Sequence, residues 1–146
     1  MFGMNKTVNK TERGTIAENL ALAHLQQAGL TLVARNYKTP GRGGGEVDLI
    51  MQERSRNNAN RAADEPTLVF VEVRQRVNAA HGGAAASVGG VKQRRVIFAA
   101  RYYLLRLKPT PPCRFDVVSV EGDITGNLTD SPRIDWIKGA FDAPSY

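Results

Sequence analysis

Between Thr11 and Gln27 apolar residues recur at helical spacing: Ile16, Leu22 and Leu25 mark one side, and Asn19 and Gln26 the wettest one. The pattern predicts a helix closed by Gly29, a residue suited to the C-cap. Leu30 to Tyr37 predicts a short strand and Pro40-Gly-Arg-Gly-Gly-Gly45 a loop. Glu46 to Met51 predicts a second strand, with Glu46, Asp48 and Ile50 on one face and Val47, Leu49 and Met51 on the other. The polar stretch from Gln52 to Glu65 then reads as the tip of a long hairpin.

Pro66 to Arg76 begins as a continuous apolar run, the signature of a strand covered on both faces, and ends in charge. Alternation puts Leu68, Phe70, Glu72, Arg74 and Arg76 on one face and Val69, Val71 and Val73 on the other. A Gly- and Ala-rich stretch, Ala79 to Gly90, reads as a flap, and Val91 to Leu107 as a long helix stopped by Pro109, Pro111 and Pro112. Its apolar stripe is Val96, Ile97, Ala100, Leu104 and Leu107; Gln93 falls inside that stripe, and Lys92, Arg94, Arg95, Arg101 and Arg106 spread over the rest of its surface. Arg114 to Val120 and Ile134 to Ile137 predict two more strands, separated by a turn over Gly122 to Pro132, with Phe141 available to anchor the tail.

The order helix, three strands, helix, two strands predicts an α/β fold, a mixed β-sheet flanked by helices, because a long helix between strands makes a crossover. At 146 residues the chain reads as one domain over 11–146, behind a flexible tail over 1–10. Twenty Lys and Arg against fourteen Asp and Glu leave a formal charge of +6, which favours a polyanionic partner, nucleic acid ahead of a membrane surface. Cys113 stands alone and can form no internal disulfide. With neither a signal-peptide core nor an apolar run long enough to span a bilayer, the expectation is a cytoplasmic protein with no membrane partner.

The candidate chemistry lies in carboxylates that interrupt apolar segments. Asp is a poor strand former, so Asp48 within its strand needs a reason. If the second and third strands form an antiparallel hairpin, Asp48 and Glu72 meet, and a pair of carboxylates with water and a backbone carbonyl makes a hard oxygen site suited to Mg²⁺ or Mn²⁺. The plainer reading of Glu72 and its neighbour Arg74 on the same face is an ion pair closing off the strand at the sheet edge. Glu18 leans towards the apolar side of the first helix, where a lone glutamate ordinarily reaches past its neighbours to solvent. His24 and His81 lack metal-ligand spacing, and the glycines before Glu46 lack the lysine, hydroxyl residue and following helix of a phosphate loop.

Five stretches, in this order, carry a resemblance: Gly14-Thr-Ile-Ala-Glu18, Gly45-Glu-Val-Asp-Leu-Ile50, Val69-Phe-Val-Glu-Val-Arg74, Lys92-Gln93 and Cys113-Arg-Phe-Asp-Val-Val118. Together they make the chain resemble, from about Arg13 onwards, the YraN family of predicted endonucleases, which has the restriction-endonuclease-like fold and is similar to archaeal Holliday-junction resolvases. The resemblance implies a metal-dependent endonuclease that hydrolyses DNA phosphodiesters, on branched or structured DNA, with Asp48 and Glu72 as the metal-binding acids. It further implies catalytic roles for Glu18 and Gln93, contributed by the first and second helices, and for the cation two residues after Glu72. That position departs from the family's usual lysine: it is Arg74, which stays protonated and is bulkier, so the exchange is not conservative. Glu46 and Asp116 match family positions too, Asp116 in a structural role and Glu46 in none assigned. Resolvases act as dimers because a four-way junction presents paired strands, and the resemblance alone brings a homodimer into view.

Arg76, Lys92, Arg94, Arg95 and Arg101 are the expected nucleic-acid contacts. Two other readings stay open at the level of sequence. One is a catalytically impaired nucleic-acid-binding module that keeps the nuclease fold, the reading Arg74 encourages. The other is a basic interaction protein whose strand acids guard a sheet edge.

Overall fold

The computed structural model describes residues 9–54, 65–76, 88–124 and 131–144. The His81 flap and the hairpin tip after Arg54 therefore lie, wholly or mostly, outside the described residues, as do residues 1–8 of the expected tail. The elements run α1 (Lys10–Gln27), β1 (Thr31–Lys38), β2 (Glu46–Glu53), β3 (Thr67–Arg76), α2 (Gly90–Leu104), β4 (Cys113–Glu121) and β5 (Arg133–Phe141). This is the expected αβββαββ order. The five strands form one mixed sheet in sequence order, antiparallel throughout except for the parallel β3–β4 pair, which α2 joins as a crossover.

Helix α1 starts at a capping box, in which Asn9 Oδ1 accepts from the Glu12 N–H at 2.8 Å and Glu12 returns the bond to the Asn9 N–H. Its buried residues are Ala17, Ala21 and Leu25, one stripe at a spacing of four. Two of these three are alanines, so the helix backbone can lie close to the sheet, over Val69, Val71, Val118 and Val120. Helix α2 covers the opposite face with Val96, Ile97, Ala99 and Ala100 against Val47, Ile50, Phe70 and Phe115. The result is a three-layer α/β/α sandwich. Among the described residues no helix is long and apolar enough to cross a membrane.

Three expectations, one of face and two of element ends, need correction. Val47 packs with Ile50 on the α2 side, whereas Leu49 and Met51 pack on the α1 side, so β2 changes face between Val47 and Leu49 instead of alternating throughout. Strand β5 runs on to Phe141, beyond the expected end at Ile137, because a bulge between Phe115 and Val117 keeps it paired to β4 and Phe141 stacks on Phe115 at 5.1 Å. Helix α2 stops at Leu104, three residues short of the expected Leu107, in two tight turns that precede the prolines.

Candidate active site

The β2–β3 ladder pairs Leu49 with Val71 and continues through Glu53 with Thr67. Residues 46–48 of β2 and 72–76 of β3 lie beyond that pairing, so the two strands separate there. A gap in the middle of a sheet would strand backbone donors, and Asp48 answers part of that need: its Oδ2 accepts the Val73 N–H at 2.8 Å. The aspartate expected to be out of place in a strand is thus held where the ladder ends.

The gap opens a cavity of about 170 Å³, lined by Gly14, Ala17 and Glu18 of α1, Glu46 and Asp48 of β2, Glu72, Val73 and Gln75 of β3, and Lys92, Arg95 and Val96 of α2. Helices on opposite faces of the sheet reach one site because the strands between them have parted. One water needs about 10–15 Å³, so an ion with several waters fits.

Asp48 and Glu72 face each other within hydrogen-bonding reach. Burial, then the Glu72 charge, pushes the Asp48 carboxyl up to about 7, against the Val73 N–H bond that favours the ionised form. Glu72, only 7% exposed, is also raised by burial, with the Lys92 ammonium pulling the other way. The Glu72 charge beside it thus favours the protonated form of Asp48. Glu18 is raised first by burial and then by the Asp48 charge, while Asn36 and Arg35 hold its ionised form. Asn36 occupies the left-handed region (φ 49°) between the β1 residues that pair with Leu49 and Val47, a conformation asparagine tolerates better than most.

These acids fit a divalent ion by the chemistry of their donors. Glu72 is buried and Asp48 half-buried, one ammonium, Lys92, stands beside them, and a hard cation would supply further positive charge. Among the described residues no three His, Cys, Asp or Glu side chains converge as ligands. Two carboxylates are hard oxygen donors, the kind that Mg²⁺ or Mn²⁺ takes one or two of while keeping several waters.

The cations are placed unequally. Lys92 Nζ lies 3.4 Å from Glu72 Oε1. Arg95 spans the cavity mouth, donating from Nε to the Gly44 carbonyl at 3.0 Å and from Nη2 to Glu46 Oε2 at 3.2 Å. Arg94 is exposed on α2, and Arg101 donates to the Pro144 carbonyl at 2.7 Å. Arg74 and Arg76, half-buried, pair along β3 with Ser119 and Glu121 of β4 and do not line the cavity. Gln93 does not line it either: its Nε2 donates to the Val88 carbonyl at 2.9 Å, closing the start of α2, where Gly89 offers no side-chain cap.

Alternation did not single out Gln75. It alternates with Glu72, and only the parting of the strands lets both faces of β3 look into one cavity. Asn36, a polar residue within a strand, carried a signal of the same kind as Asp48.

A family model described as "Uncharacterised protein family UPF0102" matches residues 17–120. A UPF0102 protein of Verminephrobacter eiseniae is 57% identical over 133 residues, covering 91% of this chain and 80% of the relative. One of Albidiferax ferrireducens is 56% identical over 132 residues, covering 90% and 88%, and one of Polaromonas naphthalenivorans 52% over 138 residues, covering 94% and 84%. The matched span runs from the helix that carries Glu18 through the strands of Asp48 and Glu72 to the end of the β4 core, and with these similarities it establishes that the chain belongs to the UPF0102 family.

Proposed function

We propose that this protein is a metal-dependent endonuclease that hydrolyses DNA phosphodiesters, with Asp48 and Glu72 holding Mg²⁺ or Mn²⁺. The observation that carries this reading is the meeting of the buried Glu72 and the half-buried Asp48 in one cavity where β2 and β3 part. The resemblance to the YraN endonucleases and to Holliday-junction resolvases adds the substrate, branched or structured DNA.

The bound ion would supply positive charge against the phosphate. The protein's own groups do the rest. Asp48, fixed by the Val73 N–H, and Glu72, fixed on β3, define where the ion sits. Glu18 lines the cavity with Asp48 from α1, and burial raises its carboxyl, which suits it to take a proton from the attacking water. Lys92 and Arg95 line the cavity with cationic heads that can meet phosphate oxygens, and exposed Arg94 extends that charge along α2.

A second reading, a DNA-binding module without catalysis, is favoured by Arg74 not lining the cavity. One experiment separates the two: calorimetric titration with Mn²⁺ and cleavage of linear and four-way-junction DNA by the unaltered protein, Asp48→Ala and Glu72→Ala. The endonuclease binds Mn²⁺ and cuts, and both variants lose both properties. Ion binding and cleavage that survive both replacements would place the site elsewhere; DNA binding with no cleavage above that of Glu72→Ala would favour the module.

A further inference from the structure

We propose that Lys92, in the first turn of α2, is the phosphate-facing cation of this site, and that it leaves Glu72 for the substrate when a divalent ion occupies the carboxylates. This rests on the metal-dependent reading above. The strand pattern puts the cation two residues after Glu72, at Arg74, but Arg74 does not line the cavity; Lys92 does, and reaches the strand glutamate from the helix.

Three features describe a cation held loosely. The Lys92–Glu72 separation is 3.4 Å, longer than the roughly 2.7–2.9 Å of a strong charge-assisted hydrogen bond. The lysine side chain is 55% exposed while that of Glu72 is 9% exposed, so the ammonium can swing out without unpacking anything and the carboxylate cannot follow. Lys92 also stands in the first turn of a helix that has no acidic residue there and no side-chain cap, an end at which the helix dipole disfavours positive charge. Glu72 is the partner that offsets this cost in the ion-free protein, and phosphate offers the same compensation once the ion has taken Glu72.

Lysine suits the exchange better than arginine. Its four-carbon stem carries a compact charge with rotatable donors, whereas the neighbouring Arg95 is tied at two points, to Gly44 and to Glu46. In the ion-free state Lys92 thus competes with the divalent ion for Glu72, and in the loaded state it adds positive charge where the transition state accumulates negative charge.

The test compares the unaltered protein with Lys92→Met, Lys92→Arg and Arg74→Lys. Mn²⁺ affinity is read by calorimetry at pH 8.5, and DNA affinity is read on a linear duplex and a four-way junction in EDTA and in Ca²⁺. Thermal melting confirms the fold of each variant, and because Lys92 is exposed its replacement leaves the fold intact. Lys92→Met should bind Mn²⁺ several-fold more tightly, because the competing charge is gone, and yet bind DNA more weakly in Ca²⁺, with a smaller loss in EDTA. Lys92→Arg should stay nearer the unaltered protein in both. Mn²⁺ affinity unchanged or lowered in Lys92→Met, or an equal loss of DNA affinity with and without the ion, overturns the exchange. A gain of ion-dependent DNA affinity in Arg74→Lys with none lost in Lys92→Met returns the role to the strand. Absence of Mn²⁺ binding by the unaltered protein overturns the metal reading and this proposal with it, whereas failure in the Lys92 variants alone leaves the metal reading standing.

Discussion

Asp48 accepts the backbone N–H of Val73 at 2.8 Å across the point where β2 leaves β3, so a side chain takes over where the ladder's carbonyls stop. The same carboxylate meets Glu72, and its position fixes both the end of the strand pairing and the floor of the cavity.

That double role has a cost in stability that pH reveals. The Asp48 carboxyl is raised from its ordinary value to about 7 in the folded protein, chiefly by burial, so the folded state holds a proton the unfolded chain has released. Stability from this group is present at acid pH and declines as pH rises from about 4 through 7, after which it levels off. Asp48→Asn removes the half-buried charge and should stabilise the ion-free protein at pH 8 while doing little near pH 4. Melting temperatures across this range check it; a variant whose melting profile parallels that of the unaltered protein at every pH contradicts it.

Divalent ions should reverse that trend. Because protons compete for the same oxygens, Mn²⁺ affinity should fall as pH drops below 7, and saturation at about 100 times Kd should stabilise the protein by about 2.7 kcal/mol at pH 8. The increment should vanish in Glu72→Ala. Thermal melts with and without Mn²⁺ at pH 6 and 8 measure it.

Asp116 is fully buried and serves structure. It accepts from the Arg114 guanidinium, from Trp136 Nε1 at 2.9 Å and from the Gly139 N–H at 2.9 Å, while Arg114 also bonds Glu53 of β2, which ties β2, β4 and β5 together. Asp116→Ala leaves these donors without their shared acceptor, Arg114 keeping only Glu53, and should cost roughly 1–3 kcal/mol. Mn²⁺ affinity of the folded fraction should be unaffected, so denaturant melts together with calorimetry distinguish this acid from Asp48 and Glu72.

The loop before β2 is built to touch α2. A Cβ on Gly45 would come within 2.6 Å of Thr39 Cγ2, 2.7 Å of Phe98 Cδ1 and 3.0 Å of the Ala99 nitrogen, the last of these backbone. Gly45→Ala should destabilise by about 1–3 kcal/mol and push the loop off α2. Since Arg95 is held by the Gly44 carbonyl, Arg95 should loosen with it, and DNA affinity at a fixed salt concentration should change along with the melting temperature.

Salt dependence locates the DNA surface. Each phosphate contact contributes about 0.7–0.9 to the slope of log affinity against log salt. Arg94→Gln should flatten the slope by one contact, and Arg101→Gln, whose guanidinium is engaged with the Pro144 carbonyl, by less. An unchanged slope in the double variant moves the interface off α2.

Sequence by itself determined what depends on local periodicity and on pairing between neighbours. The order of elements, the antiparallel meeting of Asp48 with Glu72 and the inward lean of Glu18 follow from alternation, helical spacing and residue chemistry within short windows, whereas the structural part of Asp116 came with the family resemblance. What it left open depends on where the pattern is broken. Strict alternation sets Val47 with Leu49 and keeps Gln75 apart from Glu72; the structure moves Val47 to the α2 side and brings Gln75 into the cavity, because β2 changes face and parts from β3 at Asp48. The separation of two strands is a property of the sheet and of the helices packed on both its faces. Tertiary packing alone decided that α1 and α2 share one cavity, that Lys92 and not Arg74 lines it, and that Gln93 is spent on the Val88 carbonyl.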